Sequence, residues 1–245
     1  MLFSRLFPVA RVAARLVALP SLCAVCRGWG AQRICAECVQ RFADGPLPRC
    51  RRCALEVPVG TTVCGACLVD PPPYARTLAA VAYAHPWDGL ITQFKFHAAL
   101  DLAPALAARM HAAHAAGDMP APSLLLPMPL SRARLRERGY NQAWELAKRL
   151  GTALHCAADP ALLLRVKDTP HQLAFPPGQR AGNVRAAFAV EPARRAELRG
   201  RSVTLVDDVM TTGATAAEAA RTLLQAGARE VAVWVVARTP RPAAE

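Results

Sequence analysis

Lysine is nearly missing from this 245-residue chain: Lys95, Lys148 and Lys167 are the only three. The formal charge is still +12, so arginine carries it, and such a balance favours anionic ligands such as phosphates or nucleic acid. Acidic residues are absent before Glu37. Aromatics amount to 6%, too few for an extended base-stacking platform. No apolar run approaches the ~20 residues of a membrane-crossing helix, so none is expected. A disorder-like composition is also missing, and 53% apolar residues can fill a core. The length suits one substantial α/β domain and a small module.

The acid-free N-terminus lacks the long apolar stretch and cleavage site of a secretory signal. Read as a helix over residues 1–19, it places Leu2, Leu6, Val9, Ala13 and Leu16 on one face. Arg5, Arg11 and Arg15 lie roughly opposite, and Pro8 interrupts the run. A transit peptide has that look. The reading adopted is a helix packed by its apolar face on a cytoplasmic protein.

Cysteine is abundant where the other signals are sparse. Four C-x-x-C pairs fall in 45 residues: Cys23/Cys26, Cys35/Cys38, Cys50/Cys53 and Cys64/Cys67. Each pair can put two sulfurs on one metal from a tight turn, and two pairs close a tetrahedral site. A disulfide framework would need an oxidising compartment, and a redox C-x-x-C would not occur four times. Two closed structural Zn2+ sites in a double ribbon over 20–70 follow, paired 23/26/35/38 and 50/53/64/67, with an interleaved cross-brace as the alternative. Eight thiolates and two zinc ions leave a net charge of about +8. Gly28, Gly30, Gly60 and Gly65 suit the turns. Arg49, Arg51 and Arg52 crowd the second ribbon as DNA contacts or as a solvated edge. Cys156 has no partner in the pattern and reads as a small buried apolar residue.

Pro71-Pro72-Pro73 closes the module, and an α/β domain follows over 74–241. Thr77–Tyr83 reads as a strand, and Trp87–Phe96 as a helix or turn in which Lys95 either reaches a phosphate or faces solvent. The Ala-rich stretch 100–116 reads as a helix with His111 and His114 solvated. Ser123–Leu126 is a buried strand leading into Pro127-Met128-Pro129-Leu130. Arg132, Arg134, Arg136 and Arg138 recur at every second position, which no single helix face can hold; a loop, or a loop turning into a helix, is expected, its four cations suited to a pyrophosphate or forming a plain basic surface. Gly139-Tyr140-Asn141-Gln142 opens a helix to about Leu150. Leu162–Phe188 begins as a strand, becomes a Pro/Gly loop of lid-like length containing His171, and resumes as a short helix. The segment 193–201 reads as a solvated basic linker, and Val231–Val236 as a last strand.

The stretch Arg201–Ala226 holds the densest chemistry. Val203, Leu205 and Val206 read as a buried strand ending at Asp207 and Asp208; a Thr/Gly turn and an Ala-rich helix follow. Turn amides at a helix N-terminus can surround a phosphate, and the carboxylates can take ribose hydroxyls, directly or beside magnesium.

The run Asp207-Asp208-Val209-Met210-Thr211-Thr212-Gly213-Ala214-Thr215 resembles the phosphoribosyl pyrophosphate (PRPP) signature of type I phosphoribosyltransferases. Together with the cysteine ribbons, Gln93-Phe94-Lys95-Phe96, the Pro127–Leu130 turn, Arg136–Gln142, Thr169–Leu173 and Arg180/Asn183, it makes the chain similar to the ComF family. That resemblance spans about Leu19 to Arg238. It implies a type I phosphoribosyltransferase fold, a central mainly parallel sheet flanked by helices, behind a double zinc ribbon. It implies Asp207 and Asp208, as catalytic residues, on the ribose hydroxyls, Met210–Thr215 around the 5′-phosphate, and the Pro127–Leu130 turn with its following arginines at the pyrophosphate, with Val209, Pro129, Arg138 and Lys95 among the PRPP-binding residues. Lys167–Arg180 would be the mobile loop, with Lys167 and Arg180 catalytic. The implied role is accessory to DNA uptake in natural transformation, binding PRPP with Mg2+, single-stranded DNA and uptake-machinery proteins. An active transferase salvaging a nucleobase or amine, and a non-catalytic PRPP sensor, are the other two readings. No feature names an acceptor, and zinc ribbons occupy the place of a glutamine-hydrolysing half.

Overall fold

The computed structural model describes residues 20–42, 48–167 and 186–241. The expected N-terminal helix, His171, Arg180 and nearly all of the expected mobile loop lie outside them. At the N-terminal end, β1 (Ser21–Leu22) and β2 (Trp29–Gly30) form an antiparallel pair, followed by α1 (Ala36–Phe42) and, after the second cysteine quartet has begun, α2 (Gly65–Val69).

The rest of the described chain is organised on a sheet. Its elements are β3 (Arg76–Ala82), α3 (Trp87–Phe96), α4 (Ala103–Ala115), β4 (Leu124–Pro127), α5 (Arg132–Arg138), α6 (Gln142–Leu154) and β5 (Ala157–Ala158). There follow β6 (Leu163–Arg165), β7 (Phe188–Val190), β8 (Ser202–Met210), α7 (Ala214–Gln225) and β9 (Glu230–Arg238). Five strands pair in the order β3-β9-β8-β4-β5, all parallel, and β6-β7 form a separate antiparallel hairpin.

Alternation along the strands divides the core. Val206, Trp234 and Val236 point with Leu125 toward α3, α4 and α6, where Trp87, Leu106, Met110, Leu146 and Leu150 fill the layer. Val203, Leu205, Val233 and Val235 point with Leu126 to the other side, against α7 and the β6-β7 hairpin. Strands covered on both faces read as near-continuous apolar runs, as β9 does. Helix α6 shows why its sequence folds as it does. Asn141 caps it by accepting from the Ala143 and Trp144 amides at 2.9 and 3.4 Å. Ala143, Leu146, Ala147 and Leu150 recur on one buried face, and each fully buried leucine is worth about 2 kcal/mol.

Several expectations change. Arg132–Arg138 is helical: Ser131 caps α5 at the Arg134 amide and Gly139 ends it in the left-handed region. The four arginines resolve into two i,i+4 stripes, with Arg134 and Arg138 half-buried and Arg132 and Arg136 exposed. Segment 192–198 is a 3-10 helix that buries Leu198 and pairs Arg194 with Asp159 and Glu197, so the linker is anchored at those two residues while most of it stays exposed. His114 is half-buried, because α4 carries it onto the face of Met110 and against the Trp234 ring at 4.6 Å. Cys156 is half-buried. Strand β8 runs through both aspartates to Met210, since β9 pairs with it as far as Arg238.

Candidate functional site

Two groups of four sulfurs come first along the chain. Cys23, Cys26, Cys35 and Cys38 converge within 4.8 Å, as do Cys50, Cys53, Cys64 and Cys67, and both can hold a metal ion. Adjacent pairing is therefore the observed one, and the cross-brace falls away. The Cys26–Cys35 and Cys53–Cys64 sulfurs lie 3.8 and 3.7 Å apart. A tetrahedron of sulfurs at 2.3 Å from zinc has edges of about 3.8 Å, which these two edges match. Backbone amides of Cys35 and Cys64 donate to the Cys23 and Cys50 sulfurs at 3.4 and 3.3 Å. Burial resists ionisation of Cys23, but such amide bonds bring it down to about 6. Cys38 is pushed up to about 12 by burial and by its neighbouring thiols. Four thiolates this close need a cation among them. The left-handed turn residues are Arg27, Ala54 and Gly60; Gly28, Gly30 and Gly65 are not in that region.

The second site lies where the sheet changes direction. Strand β4 passes through α6 to β5 on one side, while β8 passes through α7 to β9 on the other. The two helices cover opposite faces, so the C-terminal ends of β4 and β8 open a crevice. A cleft of about 420 Å³ occupies it, lined by Lys95, Phe96, Met128–Leu130, Arg134, Arg138, Gln142, Arg165, Asp207–Ala216 and Thr239. Each wall is fixed from below. The Asn141 amide donates to the Met128 carbonyl at 3.1 Å, holding the Pro127–Leu130 turn. The Tyr140 hydroxyl donates to the Phe94 carbonyl, tying the Lys95 turn of α3 to the arginine helix. Arg138 donates to Gln142 and lies 5.1 Å from the Phe96 ring centroid.

Asp208 is 2% exposed, and its Oδ2 meets Lys95 Nζ at 2.8 Å. This is a close ion pair of poor hydrogen-bond alignment, for Oδ2 has no aligned partner among the described residues. Burial alone would raise the Asp208 carboxyl, yet Lys95 outweighs it and holds the group below its usual range. Burial and then the adjacent Asp208 push Asp207 well above that range. Burial works against the Lys95 charge, but Asp208 and Asp207 raise it. The two carboxyls thus titrate as one coupled unit, in which Asp208 keeps the charge. A buried carboxylate oxygen without an aligned donor fits a ribose hydroxyl or a water on magnesium.

Beyond Met210, Thr211 and Thr212 are exposed, and Gly213 starts α7 at φ +83°. A Cβ there would stand 2.7 Å from the buried Tyr74 hydroxyl oxygen, so glycine is required by both backbone and space. Positive helix-end dipole and turn hydroxyls face the cleft.

Of the expected site residues, Asp207 through Thr215, Pro129, Arg138 and Lys95 all line this cleft. Lys167 does not: it is exposed past β6, where its carbonyl accepts from Arg165 Nε at 3.3 Å. Of the four arginines after the Pro127–Leu130 turn, Arg134 and Arg138 line the cleft. Sequence reasoning missed Arg165, Gln142 and Thr239 in the lining, and Tyr74 and Arg238 beneath the loop. Arg238, a lone cation ending an apolar strand, was visible, but its burial was not. In the second ribbon, Arg51 is exposed, whereas Arg49 donates to the Ala54 carbonyl at 3.1 Å.

A parallel sheet with this crevice, an acid pair and a Thr/Gly phosphate-type turn is a phosphoribosyltransferase-type domain. The family described as phosphoribosyl transferase domain matches residues 168–245. DNA utilization protein YhgH of Escherichia coli (strain K12) is 34% identical over 235 residues, covering 91% of this chain and 100% of that protein. Competence protein F of Haemophilus influenzae is 31% identical, covering 88% of this chain and 96% of its own. Among solved structures, a glutamine PRPP amidotransferase from B. subtilis is 20% identical with a TM-score of 0.33, over 54% of this chain and 26% of that one. The chain belongs to the ComF family.

Proposed function

We propose that the cleft binds PRPP with magnesium and that the protein acts in DNA uptake or utilisation, with single-stranded DNA as a further ligand. One observation carries the ligand: an acid pair, half-buried Asp207 and buried Asp208, running without a break into the Thr211–Thr215 turn at the sheet's switch point. Asp208 and Asp207 would take the ribose hydroxyls, residues 210–215 the 5′-phosphate, and Lys95, Arg134 and Arg138 the diphosphate. Magnesium, when bound, would neutralise diphosphate charge and orient it. The division into a ribbon module over 20–70 and a ligand-binding domain over 74–241 belongs to the same reading.

The DNA part is supported by the names of the relatives, the basic charge, and exposed Arg27 and Trp29 on the first ribbon, Trp29 at 75%. Calorimetry with PRPP, with and without magnesium, followed by titration with a single-stranded oligonucleotide, tests both parts. PRPP binding that depends on magnesium and vanishes in Asp207→Asn/Asp208→Asn is expected. DNA affinity should fall by about 0.7 log unit per log salt for each phosphate contacted. Absent PRPP binding removes the first part; absent or salt-insensitive DNA binding removes the second. Pyrophosphate release on adding a base or amine would move the protein to the active transferases.

A further inference from the structure

Arg238 is 5% exposed, and no carboxylate pairs with it among the described residues. Its Nε donates to the carbonyl of Cys53, a sulfur-bearing corner of the second cysteine quartet, at 2.8 Å. Its Nη1 donates to the Met210 carbonyl at 3.0 Å and to the Thr211 carbonyl. One planar guanidinium, 185 positions from Cys53 in sequence, therefore joins the second quartet to the first residues of the phosphate-type turn. A second contact runs parallel to it. Tyr74, which follows the second quartet in sequence, lies buried under Gly213. A third fixes the frame: Thr77 on β3 donates through its hydroxyl to the Arg52 carbonyl at 2.5 Å, and through its amide to the Arg51 carbonyl at 3.0 Å.

Charge explains why an arginine can be buried here without an acid. Four thiolates around one zinc ion leave about −2 on the quartet, and Arg238 sits against it through the Cys53 carbonyl. The first quartet has no such link to the turn among the described residues. It packs through Cys23, Ile34 and Cys38 into the α3–α4 side of the core, and the Phe42 carbonyl accepts from Trp87 Nε1 at 2.8 Å.

We infer that the second cysteine quartet, loaded with zinc, is part of the ligand site: Arg238 is a positioning residue that transmits its occupancy to the 210–215 turn. Loading that quartet and filling the turn then reinforce one another, while the first quartet is indifferent. The ligand half of this rests on the reading above; the bridge itself does not.

The test follows zinc transfer from the two-zinc protein to a chromogenic chelator. Cys26→Ser, which disables the first quartet, identifies the phase that belongs to the second. In Arg238→Gln that phase should accelerate about 10–100-fold, as when an outer partner of a metal ligand is lost, with the other phase unchanged. PRPP with magnesium should slow the second phase in the wild-type protein and leave it unaffected in the variant, because coupling between sites is reciprocal. Arg238→Lys keeps the charge and cannot span both carbonyls. It should restore zinc retention and still bind PRPP about tenfold more weakly, a loss of about 1.4 kcal/mol. A second-phase rate that is the same in wild type, Arg238→Gln and Arg238→Lys overturns the inference. If the variants shift that rate while PRPP gives the wild-type protein no thermal stabilisation, the bridge stands and the PRPP reading falls.

Discussion

Replacing Lys95 by Met would leave the stem packing of α3 in place and take away one charge. Asp208 is then buried beside Asp207 with its ion pair removed, and Oδ2 already lacks an aligned donor. Breaking a buried pair from one side costs about 3–5 kcal/mol. The Lys95 side chain is 26% exposed, so water reaches it in part and the lower end, about 3 kcal/mol, applies. For a chain of this size that lowers Tm by about 6–12 °C. The pH dependence has a definite sign. In the wild-type protein Asp208 is held below its unfolded value, so its pair with Lys95 stabilises at neutral pH and is lost as pH falls through the folded value. Without Lys95, burial raises both carboxyls, so the variant loses stability as pH rises above the unfolded value of about 3.9. The Tm gap should thus be widest near pH 8 and narrow toward pH 5. Thermal melts of Lys95→Met, Asp208→Asn and the double variant, each at pH 8, 6.5 and 5, read this directly. The double variant should be more stable than the sum of the single losses predicts, by about 2 kcal/mol. A single variant within about 2 °C of wild type, or additivity within about 0.5 kcal/mol, would refute the reasoning.

Two further outcomes follow from the same walls. Gly213→Ala places a side chain at φ +83° and 2.7 Å from the Tyr74 hydroxyl; a left-handed residue costs about 1–2 kcal/mol before the clash is counted. Tm and PRPP-dependent stabilisation should both drop, and adding Tyr74→Phe should return part of the loss; no recovery would show that the hydroxyl is not the obstacle, and full recovery that the left-handed backbone costs nothing there. Arg134→Ala and Arg138→Ala should weaken PRPP about tenfold, at 1–2 kcal/mol for a lost charge-assisted bond, and leave ribose 5-phosphate within about twofold. Equal losses for both ligands in isothermal titration would remove α5 from the diphosphate assignment.

What could be read from the sequence was local chemistry at fixed spacing. C-x-x-C repeats name their ligand atoms because a two-residue gap sets the reach of two sulfurs, and the quartets assembled as adjacent pairs. The Asp207–Thr215 run was legible because strand, turn and helix follow one another without a break. The arginines of 132–138 left a loop and a loop-to-helix reading open, because alternate spacing was compared with one helix face, whereas the helix divides them between two. Segment 192–198 reads as solvated from Pro192 and its arginines, and most of it is exposed; what the sequence hides is its anchoring by Leu198 and Arg194. Arg238, Tyr74 and Lys95 acquire their meaning from contacts across the fold: Lys95 reaches Asp208 from another helix, and Arg238 reaches Cys53 from the last strand. No periodicity encodes such pairs.

Charge in the cleft separates a ligand with one phosphate from a ligand with two separated phosphate groups. The β8–α7 turn supplies an uncharged, dipolar receptor, suited to one phosphate monoester of about −2. The α3 and α5 walls supply Lys95, Arg134 and Arg138 as a second and fully cationic receptor. The acid pair is continuous with the first in sequence and touches the second through Lys95. A nucleoside monophosphate would fill the turn and leave three cations facing one ionised carboxyl. On the proposed reading, a sugar with a phosphate at one end and a diphosphate at the other would fill both receptors and put its hydroxyls on the acids, and Lys95, paired with Asp208 in this structure, would exchange that carboxylate for the diphosphate.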